Sequence, residues 1–345
     1  MTIDGGAMAD DGSADDGSAD DGSADDGSAG GAAGPRGPGV GARAVGCHYG
    51  AKLALAGAPV VLVGRPAHVD AIRERGLWWD SGGARTVVRV GADTSPDAVR
   101  DADLVLLCVK TSDTPQAARE LLPRLRAGAT LVSMQNGVDN VERARAAAPG
   151  IDPIAAVVYV GASMGGPGHV VHAGRGDLVI GEVPGGPLGA DPARAARAAR
   201  TFERAGVPCP VVPDARAELW TKLTMNAAFN AISALTRGRY GLLVADPGIV
   251  ATMRAAIAEC VAVARAEGVP VDDADALHAA ALRLGAAMSG ATSSTEQDLA
   301  LGRPTEIDAL NGHVAARGEA LGVPVPVNRA LHALVRMLER GRSAR

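Results

Sequence analysis

The segment Asp103-Leu-Val-Leu-Leu-Cys-Val109 constrains this chain more than any other. A strand with one face in water alternates apolar and polar residues. A near-continuous apolar run of this length is the pattern of a parallel strand covered on both faces. Similar runs occur at Pro59–Val63, Thr130–Met134, Ile154–Val160 and Val207–Val212, with shorter ones at 86–90, 170–172 and 178–181. Stretches with helical spacing, Ala44–Gly57, His68–Arg75 and Pro192–Ala205, lie among them. Strands alternating with helices mean βαβ units and a mostly parallel sheet. After Pro213 the pattern changes. Residues 215–236, 247–267, 274–288, 305–321 and 328–340 all carry helical spacing, and Gly-Val-Pro at 268–270 and 322–324 reads as a helix stop. The expected architecture is α/β: a doubly wound domain over 35–213 and an all-α domain over 214–345, with a ligand cleft between them.

Charge is distributed unevenly along the 345 residues. The formal net charge is −5, from 34 basic and 39 acidic groups. Residues 1–34 hold nine aspartates and no Lys or Arg, and residues 10–29 are four copies of Asp-Asp-Gly-Ser-Ala. Such a tail buries too little apolar surface to offset its chain entropy and is expected to be disordered. Without it, 34 basic groups face 30 acidic ones. That balance is too weak to point to nucleic acid as a partner. Hydrophobic residues make up 47% and aromatics only 2%, so Ala, Val and Leu must fill the core. No apolar run is read as approaching the ~18 residues of a membrane span, and no signal peptide is read. The four cysteines, Cys47, Cys108, Cys209 and Cys260, are scattered without a CxxC pair. That usage suits a reducing cytoplasm and speaks against a disulfide framework or a zinc site.

A dinucleotide fingerprint needs a strand, then G-x-G-x-x-G, then a helix whose first N–H groups meet the pyrophosphate. Here Gly41-Ala-Arg43-Ala-Val-Gly46 precedes the helical segment, so Gly41 and Gly46 match and the second glycine is Arg43. Gly34-Pro35-Arg36-Gly37-Pro38-Gly39 is a poor start for a central strand. Three explanations stay open: a shifted cofactor, lost cofactor binding, or a wrong start or reading frame before Ala44. Arg65 ends the second strand, 19 residues past Gly46. An acidic residue there suits the ribose hydroxyl of NAD, and an Arg suits the 2′-phosphate of NADP.

The segment 218–230 carries the chemistry. Lys222, Asn226 and Asn230 fall at i, i+4 and i+8, on one helix face amid Leu219, Trp220, Leu223, Met225 and Phe229. Cation and amides in such surroundings need partners. A second polar cluster runs from Ser293-Ser294 to Thr305-Glu306-Ile-Asp308-Ala-Leu-Asn311-Gly312, where Thr305 and Asp308 form a candidate capping box. Val109-Lys110-Thr111 and Gln135-Asn136-Gly137 follow strands, where ligands bind in an open α/β sheet.

Together these residues resemble the ketopantoate reductase (2-dehydropantoate 2-reductase) family from about Ala44 to about residue 335. The resemblance rests on A-V-G-x-x-Y-G, V-K at 109–110, Q-N-G at 135–137, E-L-W-x-K-L-x-x-N-x-x-x-N at 218–230, S-S at 293–294 and T-E-I-D-x-x-N-G at 305–312. It implies a Rossmann domain plus a helical domain, and NADPH-dependent reduction of a small 2-oxo acid, ketopantoate, in pantothenate biosynthesis. By the same resemblance Lys222 is the proton donor. Asn136, Asn226, Asn230 and Ser294 bind substrate, and Gly41, Gly46, Arg65, Lys110, Asn136, Ala162 and Glu306 bind cofactor. A cytoplasmic enzyme without metal is expected, and a homodimer stays open. The family's substrate-site Asn ten residues after Asn230 is here Tyr240. Two alternatives remain: a reductase of another 2-oxo acid or ketone, and a non-catalytic homologue impaired in cofactor binding by Arg43.

Overall fold

The computed structural model describes residues 39–189 and 191–343. The aspartate tail and the prolines before Gly39 lie outside the described residues. Ten strands form one sheet: β1 (Gly39–Gly41), β2 (Val61–Val63), β3 (Leu77–Ser81), β4 (Ala84–Val88), β5 (Gly91–Asp93), β6 (Leu104–Leu107), β7 (Thr130–Ser133), β8 (Ile154–Gly166), β9 (His169–Gly181) and β10 (Val211–Val212). Their order is β4-β3-β9-β8-β7-β6-β1-β2-β5, with β10 beside β9. The stretch from β5 to β8 is parallel throughout.

The apolar run at 103–109 becomes β6, all four of whose residues are buried. Leu104 and Leu106 join a core with the helix after β1, while Val105 and Leu107 join a second core on the other face. The sheet is therefore doubly covered, as the run requires. The helices on these faces are α1 (Ala44–Leu55), α2 (Pro66–Arg75), α3 (Thr114–Leu121), α4 (Asn140–Ala147) and α5 (Pro192–Arg204).

Several local expectations need correction. The segment judged a poor central strand supplies β1 at residues 39–41, paired on both sides with β2 and β6. A Cβ at Gly39 would come within 2.9 Å of Val99 Cγ1, so glycine here permits close packing rather than spoiling the strand. The strands expected at 154–160, 170–172 and 178–181 are one long antiparallel hairpin, β8–β9, with 13 residues in each arm. Register shifts near Val160 and Met164 let it bend and continue through glycines that read as breaks. The hairpin β3–β4, turning at Gly82-Gly83, replaces the single strand expected at 86–90.

Beyond β10 the described residues form helices α6 (Arg216–Thr236), α7 (Tyr240–Ala245), α8 (Pro247–Ala266), α9 (Ala274–Ala287), α10 (Ser294–Ala300), α11 (Asn311–Leu321) and α12 (Pro326–Ser343). Short α7 was not foreseen. Helix α8 corrects another reading: by length and composition it could cross a membrane, with 20 residues and a mean hydropathy of 1.5. Its Glu259 caps the start of α12, accepting from the N–H groups of Val327 (2.8 Å) and Asn328 (2.9 Å), and its Met253, Ile257 and Cys260 are buried. The helix expected at 305–321 begins only at Asn311, after a 3₁₀ turn at Ile307–Ala309. Thr305 Oγ1 accepts from Ile307 N at 3.2 Å. Asp308 closes no capping box; it accepts from His332 on α12 at 2.7 Å.

Candidate active site

Helix α6 sets the geometry. Its buried stripe, Leu219, Trp220, Leu223, Ala227 and Phe229, packs it into the helical layer. That packing fixes its rotation, so that Lys222 meets the loop after β7 and Asn230 meets Ser294 at the start of α10. Buried Asn311, at the start of α11, reinforces the packing: its amide donates to Ala227 O at 3.1 Å and to Asn328 Oδ1 at 2.9 Å. Sequence reasoning gave Asn311 no role, although it lies inside the T-E-I-D-x-x-N-G motif.

Lys222 Nζ donates to Asn136 Oδ1 at 2.9 Å, and Asn136 Nδ2 donates to Glu306 Oε2 at 3.0 Å. These three expected residues, from a helix, a strand-end loop and a turn far apart in sequence, form one chain of hydrogen bonds. The order fixes the amide: a carboxylate only accepts, so the NH₂ must face Glu306 and the carbonyl oxygen must face the ammonium. Gly137 makes the bend, with φ +98 and Ala309 O only 3.3 Å from where a Cβ would stand. Thr111 was also passed over. It holds the same loop through Oγ1 to Asn136 O at 2.9 Å, and its N–H reaches Glu306 Oε1 at 3.3 Å. Asn140 Nδ2 adds a second donor to Asn136 O at 2.7 Å. The signal for Thr111 was its place just past the end of β6, whereas Asn140 opens α4, seven residues beyond β7.

Burial lowers the Lys222 pKa to about 8, and the Glu306 charge opposes that drop. The ammonium has three donors, and one engages Asn136. Farther along α6, Asn230 is buried and its Nδ2 lies 3.4 Å from Ser294 Oγ on exposed Ser294. Between them Asn226 makes no side-chain hydrogen bond among the described residues. Lys222, Asn226, Asn230 and Ser294 thus line one polar strip with open hydrogen-bonding capacity, suited to a small polar acid.

The sheet edge is basic. Arg65 is exposed where α2 begins, and burial together with the charges of Arg65, Arg303 and Arg43 lowers the pKa of nearby His68. Helix α1 starts without a side-chain cap, so its first N–H groups stay open to an anion. Helices α5, α8, α9 and α10 are capped by Asp191, Asp246, Asp273 and Ser293. Gly41 ends β1 and Gly46 is buried in the first turn of α1. This donor set fits a polyanionic dinucleotide. Lys110 faces the helical layer: Nζ pairs with Asp298 at 2.8 Å and also donates to Pro304 O. Ala162 is on β8 opposite His172 and packs against the core beneath α1. No group of three or more His, Cys, Asp or Glu suited to a metal occurs among the described residues.

The family described as ketopantoate reductase PanE/ApbA matches residues 40–185, and its C-terminal counterpart matches residues 214–339. A 2-dehydropantoate 2-reductase of Halobacterium salinarum is 35% identical over 307 residues, 88% of this chain and 98% of that protein. The crystal structure of a PanE/ApbA family ketopantoate reductase from Ralstonia eutropha JMP134 is 46% identical with a TM-score of 0.80, covering 89% of this chain and 99% of that one. D-mandelate dehydrogenase, solved with NADH and anilino(oxo)acetate, shares the fold at a TM-score of 0.81 and 21% identity, over 89% and 98% of the two chains. With both family segments matched and a relative aligned over nearly its whole length, the chain belongs to the ketopantoate reductase family.

Proposed function

We propose that the chain reduces 2-dehydropantoate to pantoate with NADPH, in pantothenate biosynthesis, and that Lys222 gives the proton. The observation that carries this reading is the Lys222 ammonium, held by a neutral amide at 2.9 Å with its pKa drawn down to about 8. In this reading residues 35–213 hold the cofactor and residues 214–345 hold the substrate. The bound nicotinamide supplies the hydride to the ketone carbon. The chain's own part is to receive the charge that develops on the ketone oxygen. An ammonium there stabilises the oxyanion and then protonates it, and its proton is easier to give because burial weakens its hold. Asn136 orients Nζ and is itself locked by Glu306. Asn226, Asn230 and Ser294 offer neutral donors along the same face for the carboxylate and hydroxyl of the substrate. Gly41, Gly46, Arg65, Lys110, Ala162 and Glu306 belong to the cofactor side. The preference for NADPH over NADH rests on Arg65, a cation where the second strand ends.

The test is NADPH oxidation with 2-dehydropantoate, with kcat/KM compared between NADPH and NADH. Absence of turnover with either cofactor refutes the reading. A second reading, another 2-oxo acid as substrate, is favoured by Tyr240, which stacks on Phe229 at 4.3 Å between ring centroids in place of a polar amide. A kcat/KM for 2-dehydropantoate that exceeds other 2-oxo acids by orders of magnitude removes that reading.

A further inference from the structure

Arg43 replaces the glycine through which a dinucleotide fingerprint lets backbone approach pyrophosphate. If its side chain filled that space, cofactor would be excluded. The backbone does not demand glycine here: Arg43 sits at φ −110 and ψ 176, an extended conformation open to any residue. Its N–H bonds Gly41 O at 2.9 Å and its carbonyl accepts from Cys47 N at 2.7 Å, so the turn is intact. The side chain leaves the loop. Its guanidinium reaches Asp113 Oδ2 at 3.2 Å, on the 3₁₀ turn after β6.

That pair has a particular place in the topology. From β1 the chain runs outward to β2 and β5 on one side, while β6, β7 and β8 lie on the other. The crevice between the loops after β1 and β6 is the switch point where open α/β sheets bind ligands. The Arg43–Asp113 pair spans it. Both partners are well exposed, 38% and 52%, and such a pair is held weakly. A guanidinium so placed, joined to Asp113 by one N–O contact, can exchange that carboxylate for a phosphate, which it can chelate through two N–H groups. Further positive charge gathers beside it: Arg65 from the end of β2 and Arg303 from the turn after α10 both act, with Arg43, on His68.

We propose that Arg43 is a ligand for the cofactor's diphosphate, parked on Asp113 when no cofactor is present, so that a side-chain cation takes over part of the work of the missing glycine. The proposal rests on the dinucleotide reading given above, and the experiment separates the two. NADPH and NADH are titrated by fluorescence into the full chain and into Arg43→Gly, Arg43→Gln, Asp113→Asn and Arg65→Ala, with thermal unfolding as the check on folding. Arg43→Gly and Arg43→Gln are expected to weaken both cofactors by at least about tenfold and by the same factor, because the diphosphate is common to both. They should also reduce the salt dependence of binding. Asp113→Asn is expected to tighten both, since it frees the guanidinium. Arg65→Ala should weaken NADPH alone. If the parent binds and Arg43→Gly binds as well or better, Arg43 is an obstruction and the proposal is overturned while the cofactor reading survives. Loss confined to NADPH moves Arg43 to the 2′-phosphate and also overturns it. A parent that binds neither cofactor removes both.

Discussion

Lys222 and Lys110 flank the same loop system but meet different partners. Lys110 leaves the turn after β6, and its ammonium lies against the Asp298 carboxylate at 2.8 Å. It ties the sheet's loop edge to α10, and a neighbouring negative charge compensates its own. Lys222 leaves helix α6 and meets a neutral amide at 2.9 Å; Glu306 holds that amide from its other side, and its charge raises the Lys222 pKa without a direct hydrogen bond. The cost of burial therefore falls on the charged form and draws the Lys222 pKa down to about 8. A half-buried lysine that meets a neutral amide is suited to the acid role proposed for Lys222, whereas Lys110, paired with Asp298, ties two elements together.

The strongest test of this contrast is removal of each amine. Lys222→Ala is expected to lower kcat by ~10²–10⁴, the usual contribution of a general acid, while Lys110→Ala acts mainly through KM for the cofactor. Equal losses of kcat would break the comparison. Next in size is Asn136→Ala. It removes a hydrogen bond to a charged group, worth about 1.5–3 kcal/mol, so steady-state assays should show kcat lower by roughly tenfold to a hundredfold.

The pH profile sharpens the point. With Lys222 as the proposed proton donor, activity is expected below pH about 8 and is expected to be lost as pH rises through it. Glu306 raises the Lys222 pKa. Glu306→Gln should therefore move the alkaline limb of the kcat profile to lower pH, and an upward move would contradict the assignment. The smallest effect is expected at the strut: Asp298→Asn leaves Lys110 its carbonyl partner and should cost about 1 kcal/mol in denaturant unfolding.

Much of this was legible in the sequence because it is local. The apolar run at 103–109 reports burial on both faces, and the spacing of Lys222, Asn226 and Asn230 reports a shared helix face. What failed to read was equally specific. Prolines and glycines argue against a strand at 35–40 taken alone, yet Gly39–Gly41 forms β1 because β2 pairs with all three of its residues and β6 with the first two. The hairpin β8–β9 was divided because its glycines look like turns when the partner strand is unknown. The spacing of Thr305 and Asp308 suggests a capping box because such boxes are local patterns, whereas the partner of Asp308 is His332, 24 residues away.

By itself, the sequence determined the layer order of the fold, the family resemblance and the residue types available for chemistry, since periodicity and motif spacing are properties of the chain alone. Only the tertiary structure decided which groups meet. Asn136 stands between Lys222 and Glu306, 86 and 170 residues away, and Arg43 faces Asp113 rather than closing its own loop. The acidity of an amine and the availability of a guanidinium depend on burial and on the nearest charge, and both are set by long-range packing.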